Sequence, residues 1–113
     1  MRRAMRVRDC TATERLAVKC AWEGRIVTVL LEAAIRGALA IHPSQGPDLP
    51  LWTVTHVATG YAIARFDWEA DAENFVRMIL PLDWNFSAVS ECPKATSAGV
   101  LAVAGAHNIR LPR

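Results

Sequence analysis

The clearest alternation of apolar and polar positions runs through LWTVTHVATGYAIARF, residues 51–66. Two runs of strand formers flank Ala58-Thr59-Gly60, and a three-residue loop ending in glycine supplies the left-handed residue of a tight hairpin. With Val57 opposite Tyr61, one face carries Trp52, Val54 and His56 against Phe66, Ala64 and Ala62. The other face carries Thr53, Thr55 and Val57 against Arg65, Ile63 and Tyr61. The first is expected to be the core side, because Ala62 and Ala64 leave room for an element packed above them. A slip of one residue would exchange the two faces.

That covering element follows at once. Asp67 reads as an N-cap, and Glu69, Asp71 and Glu73 place acid where the helix dipole favours it. Ala72, Phe75, Val76, Ile79 and Leu80 form an apolar stripe at helical spacing, and Pro81 ends the run. The pattern predicts a helix over about 68–80, lying on the hairpin. LDWNF then makes an aromatic corner, residues 87–94 read as loop, and Ser97 caps a small-residue helix, AGVLAVAGA.

Upstream, the pattern is ambiguous. TATERLAVKCAW, residues 11–22, sets Leu16, Ala17, Cys20 and Ala21 at helical spacing behind Thr11 or Thr13, which predicts a short amphipathic helix; Leu16, Val18, Cys20 and Trp22 also alternate as in a strand. In IVTVLLEAAIRGALAIHP, residues 26–31 suit a buried strand, 32–36 a helix or wide turn, Gly37 a break and 38–42 a second strand. One helix over 26–41 is the rival reading. Residues 43–50, PSQGPDLP, form the clearest loop. The expected fold is thus α+β: a hairpin at 51–66, extended by strands within 25–43, packed against the 68–80 helix, with short helices near both termini.

Composition narrows the classes. A chain of 113 residues suggests one domain over 1–113, and 52% apolar with 21% charged residues is ordinary for a folded globular protein. Three cysteines, Cys10, Cys20 and Cys92, are too few and too scattered for a disulfide framework and fit a reducing cytoplasm. Neither apolar stretch, 26–41 or 95–106, approaches the roughly 20 residues of a membrane span, and no signal-peptide pattern opens the chain. The net charge is +2, yet residues 1–25 hold seven bases against three acids. The basic arm at 1–10, with Arg2, Arg3, Arg6 and Arg8, is a candidate contact for an anionic partner.

The sequence carries little overt chemistry. His42, His56, His107 and the cysteines show no metal-ligand spacing, and no cofactor is implied. There is no nucleophile elbow and no signature around a cysteine; a deep pocket joining a histidine to Cys20, as in a meeting of Cys20 with His56, or to a carboxylate would suggest catalysis. His56 on an apolar strand face reads as a hydrogen-bonded core histidine. The acids from Asp67 to Glu73 are explained by helix electrostatics, and Gly99 and Gly105 belong to no phosphate-binding loop.

The hairpin-then-helix pattern from Trp52 to Leu80 resembles the small ββα DNA-binding domains of plant ethylene-response regulators and some integrases. Those domains imply DNA reading through strand arginines; here the strands offer Arg65 alone and the helix opens with four acids. Trp22-Glu23-Gly24-Arg25, Trp52-Thr53-Val54-Thr55-His56, Ala58-Thr59-Gly60-Tyr61 and Leu82-Asp83-Trp84-Asn85-Phe86 resemble segments of small uncharacterised proteins of GC-rich bacteria and their phages or mobile elements. In size and style the chain is similar to phage-encoded inhibitors, including anti-CRISPR proteins. The expected function is therefore a non-catalytic protein-interaction module, an accessory or inhibitor of a mobile element, with a second copy of the chain as the simplest partner. Trp22, Trp68 and Trp84 are surplus to one small core, and tryptophan favours binding hot spots. Trp84, with Asp83, Asn85, Tyr61 and Arg65, is the expected partner surface. A nucleic-acid-binding accessory protein using Arg2, Arg3, Arg6 and Arg8 is the alternative.

Overall fold

The computed structural model describes residues 13–46 and 49–111. Five antiparallel strands neighbour one another in chain order: β1 (Thr13–Trp22), β2 (Arg25–Arg36), β3 (Leu39–Pro43), β4 (Trp52–His56) and β5 (Ala62–Phe66). Two helices follow, α1 (Glu69–Ile79) and α2 (Lys94–Ala106), joined through a short 3-10 turn at Val89–Glu91. The fold is α+β, as the pattern of hairpin and helix implies.

The stretch expected as an N-terminal helix is a strand over its described part. β1 pairs along its whole length with β2, from Thr13 opposite Ala34 to Trp22 opposite Arg25. Alternation prevails over helical spacing because it buries Leu16 and Val18 while leaving Arg15, Ala17 and Lys19 outside. Between the strands, Glu23 and Gly24 stand at φ +49° and +79°. A two-residue connection with both residues left-handed matches the right-handed twist of the strands it joins.

Residues 26–41 form two strands and no helix. The segment 32–36, expected as helix or turn, continues β2, since Ala34 pairs with Thr13 on one side and Ile41 on the other. In the next hairpin, Trp52, Thr53 and Val54 face Phe66, Arg65 and Ala64 as expected. Beyond them Thr55 pairs with Ala62, so Ile63 is an extra residue bulging from β5. The expected Thr55–Ile63 and His56–Ala62 pairs are replaced because the turn closes tightly: Gly60 N–H bonds His56 O at 2.8 Å and His56 N–H bonds Tyr61 O at 3.0 Å.

Helix α1 buries Ala72, Phe75, Val76 and Ile79 on the sheet, while Leu80 stays exposed. Its N-cap is Trp68, without a side-chain capping bond, rather than Asp67. α2 begins directly after Pro93, so Ser97 lies inside it instead of capping it. Its end is a Schellman closure: Ile109 N–H reaches Ala104 O at 2.8 Å, Asn108 N–H reaches Gly105 O at 3.4 Å, and Asn108 takes φ +57°.

The sheet is covered on both faces. On one, Leu39, Ile41, Val54, Ala64 and Phe66 pack with the α1 stripe, Trp84 and Val100. Arg36 clamps that layer, its Nε and Nη2 donating to Glu73 Oε1 and Oε2 at 3.1 and 2.8 Å. On the other face, expected to lie away from the core, Thr53 and Thr55 are buried beside Ala40 and His42. What covers that side is the β1–β2 hairpin, folded across so that Leu16 and Val18 meet Ala40 and Val57. Its position is locked where Lys19 N–H donates to Gly60 O at 2.7 Å.

Candidate functional site

Folding the long hairpin back against the β4–β5 turn leaves an open groove between it, the edge of β5 and α2. The groove has a volume of about 1080 Å³. Lys19, Ala21 and Ile26 form one wall, Tyr61, Ala62, Ile63 and Arg65 a second, and Val89, Val100 and Leu101 a third. β5 pairs only with β4 among the described residues, so its other edge is open here. Ile26, Val89 and Leu101 are 57%, 56% and 62% exposed, a concentration of large apolar side chains around one depression.

The back of the groove is rigid. His56 is buried and spans it, with Nε2 2.8 Å from the carbonyl oxygen of Trp84 and Nδ1 3.0 Å from Thr59 Oγ1. A carbonyl can only accept, so Nε2 carries a proton. The His56 ring lies 4.5 Å from that of Phe86 and 5.4 Å from that of Trp84. Trp84 Nε1–H donates to Ile79 O at 2.9 Å. Thr96 Oγ1–H donates to Asp83 O at 2.8 Å, tying the aromatic corner to α2. At the same junction a Cβ on Gly99 would come within 2.8 Å of Leu82 Cδ2, so glycine there permits the close approach. His56 is a structural cross-link between β4 and the corner.

Among the described residues two cations, Lys19 and Arg65, line the groove, and no carboxylate does. Lys19 Nζ donates to Thr28 Oγ1 at 3.0 Å. Arg65 is half-buried, and its Nε is shut off from solvent with no hydrogen-bond partner. No ion pair of Arg65 forms among the described residues. Burial pushes the Cys20 thiol above its ordinary range, against an opposing pull from Arg65. Burial likewise pushes the His42 imidazole below its ordinary range, assisted by Arg65 and opposed by a bond to the backbone of Pro43. His42 Nδ1 lies 2.8 Å from Pro43 O and must donate, so Nε2, 2.7 Å from Thr55 Oγ1, accepts when the ring is neutral.

These placements sort the residues that the sequence singles out. Tyr61 and Arg65 lie in the groove. Trp84, expected as an exposed anchor, is only 9% exposed because its ring fills the junction of α1, α2 and β4; among the described side chains Trp68, at 70%, is the exposed tryptophan. Asp83 and Asn85 are exposed but turned to a local task, the Asp83 carboxylate accepting Asn85 N–H at 2.9 Å in an Asx turn. Both His56 ring nitrogens are engaged elsewhere, so a Cys20–His56 pair does not form. Among the described residues no three His, Cys, Asp or Glu side chains gather to hold a metal ion. Among the described residues no helix is long and apolar enough to cross a membrane. Arg2, Arg3, Arg6, Arg8, Cys10 and the side chain of Trp22 lie outside the described residues.

Ile26, Val89 and Leu101 are the groove residues that the sequence does not single out. One signal points toward Leu101: residues 95–106, ATSAGVLAVAGA, contain no charge, although a helix half exposed to water ordinarily carries charge on its outer face. Comparison of the chain with protein-family models, with curated proteins and with solved structures returns no match.

Proposed function

We propose that the chain is a non-catalytic protein-interaction module, acting as an accessory or inhibitor protein, whose docking surface is the groove between the β1–β2 hairpin and α2. The observation that supports this reading is the cluster of exposed Ile26, Val89 and Leu101 around a depression that is mainly apolar, with Lys19 and Arg65 as its cations, and firmly backed. Burying three such side chains on a partner removes apolar surface from water at about 25 cal/mol per Å². The firm backing lowers the ordering cost that a flexible surface would bear on association. Lone thiols at Cys20 and Cys92 fit a reducing compartment such as the cytoplasm.

The test is affinity capture from a lysate of the source organism, with and without nuclease, using the natural chain and a Val89→Glu, Leu101→Glu variant. A protein retained after nuclease by the natural chain and lost by the variant is the expected result. Release of all bound material by nuclease would instead support nucleic-acid binding through the basic N-terminal arm. Equal capture by both proteins would remove the groove from the account.

A further inference from the structure

The groove is mainly apolar in its walls and carries two cations, with no carboxylate among the described residues that line it. Arg65, on the edge strand β5, belongs to a lining that contains Lys19 and, among the described residues, no carboxylate. Lys19 already has a hydroxyl partner in Thr28. Arg65 has none among the described residues, and its Nε is buried without an acceptor. A guanidinium with a stem fixed by packing and a head lacking its acceptor is suited to a planar anion, since its N–H groups match the two oxygens of a carboxylate. Cys20 of β1, Thr53 of β4 and His42 of β3 lie near Arg65 and supply no negative charge, while Asp67 and Asp71 share with it a second depression beside α1, where neither forms an ion pair with it.

The apolar residues are arranged around that cation. Tyr61 and Ile63 stand beside it on β5, and Ile26, Val89 and Leu101 continue the apolar surface outward to the rim. An enclosed cavity would suit a small organic acid. Here the depression is open along a strand edge, and its rim residues are more than half exposed, which suits a longer occupant. Resting on the interaction reading above, we propose that the occupant is an extended segment of a partner protein that presents one Asp or Glu side chain to Arg65, with apolar side chains on either side filling the groove toward Ile26 and Leu101.

The test is selection of random dodecapeptides displayed on phage against the immobilised protein, repeated with Arg65→Gln, Arg65→Lys and Leu101→Glu. The natural chain is expected to enrich peptides with a single carboxylate flanked by aromatic or aliphatic residues. For the best synthetic peptide, affinity should fall about tenfold or more with Arg65→Gln, the loss of one half-buried charge-assisted pair, and less with Arg65→Lys. Retention of the acid preference by Arg65→Lys, with circular dichroism matching the natural chain for both variants, separates loss of charge from loss of fold. Enrichment of peptides that need Leu101 but carry no acid preference would overturn the role of Arg65 and leave the docking groove standing. Enriched peptides indifferent to both positions, or none at all, would overturn both. Sodium decanoate is the control for a small ligand: Arg65-dependent binding of decanoate without peptide enrichment would replace the protein segment by a fatty acid.

Discussion

The two faces of the sheet are covered by different means, and the difference explains where the groove opens. On the α1 face, Leu39, Ile41, Val54, Ala64 and Phe66 meet Phe75, Val76 and Ile79, an apolar layer whose helix follows β5 directly in the chain. On the hairpin face, Ala40 lies among His42, Thr53, Thr55 and Arg65, and the cover is a ribbon returned from the N-terminal side of the chain. The first interface is a continuous apolar layer. The second is polar at its centre, pinned at Lys19 and Gly60, and open beyond the pin; the groove begins at that opening.

The sharpest way to break this contrast is to remove one large side chain from each face. Phe75→Ala should cost about 3–5 kcal/mol, since the ring is fully buried, whereas Leu16→Ala under the hairpin should cost about 2 kcal/mol because that edge is closer to water. Chemical denaturation of both variants measures the pair, and equal losses would erase the distinction. Next in size is Gly60→Ala, expected to cost about 2 kcal/mol, the strain of a left-handed alanine added to a steric clash. Gly60 stands at φ +77°, and a Cβ there would lie 3.0 Å from Ala17 O. Hydrogen exchange should show protection lost at the Lys19 amide while amides of α1 keep theirs. Arg36→Met, which cuts the clamp between β2 and α1, should cost about 1 kcal/mol, as its partner Glu73 is about one-third exposed.

The smallest effect concerns pH and belongs to the hairpin face alone. Because the folded state depresses the His42 pKa, the unfolded chain binds more protons in the window below about 6.5. Stability is therefore complete above that value and declines as the pH falls through the window. Melting temperatures measured from pH 7.5 to 5 should drop, and His42→Gln should flatten the decline. An unchanged slope in that variant would place the sensitivity elsewhere.

The same contrast separates what was legible in the sequence from what was not. The α1 face could be read because its elements are consecutive: the alternation in residues 52–66, the helical stripe from Ala72 to Ile79 and Gly60 all act over short separations. The hairpin face depends on a contact between Lys19 and Gly60, and no local pattern encodes it. The strand β1 was hidden for a narrower reason: Leu16, Ala17, Cys20 and Ala21 mimic a helical stripe, although Glu23-Gly24, a pair able to form a left-handed turn, stands directly after the alternation of Leu16 to Trp22. Missing that turn, the expectation left Thr53 and Thr55 away from the core. Trp84 misled for the opposite cause. Its polar neighbours Asp83 and Asn85 suggest exposure, but they serve an Asx turn that directs the indole inward to Ile79 O. Of the groove, Tyr61 and Arg65 were legible on β5, whereas Ile26 and Leu101 meet only through tertiary folding.

The central claim is that the opening between hairpin and α2 is the docking surface. Its most direct measurement is a two-dimensional amide correlation spectrum of the isotopically labelled chain, titrated with the best peptide from the phage selection. The account expects the largest shift changes at Lys19, Tyr61, Ile63, Val89 and Leu101, with Trp68 and the exposed side of α1 unmoved. Changes centred on Trp68 and α1, with the groove amides still, would contradict it.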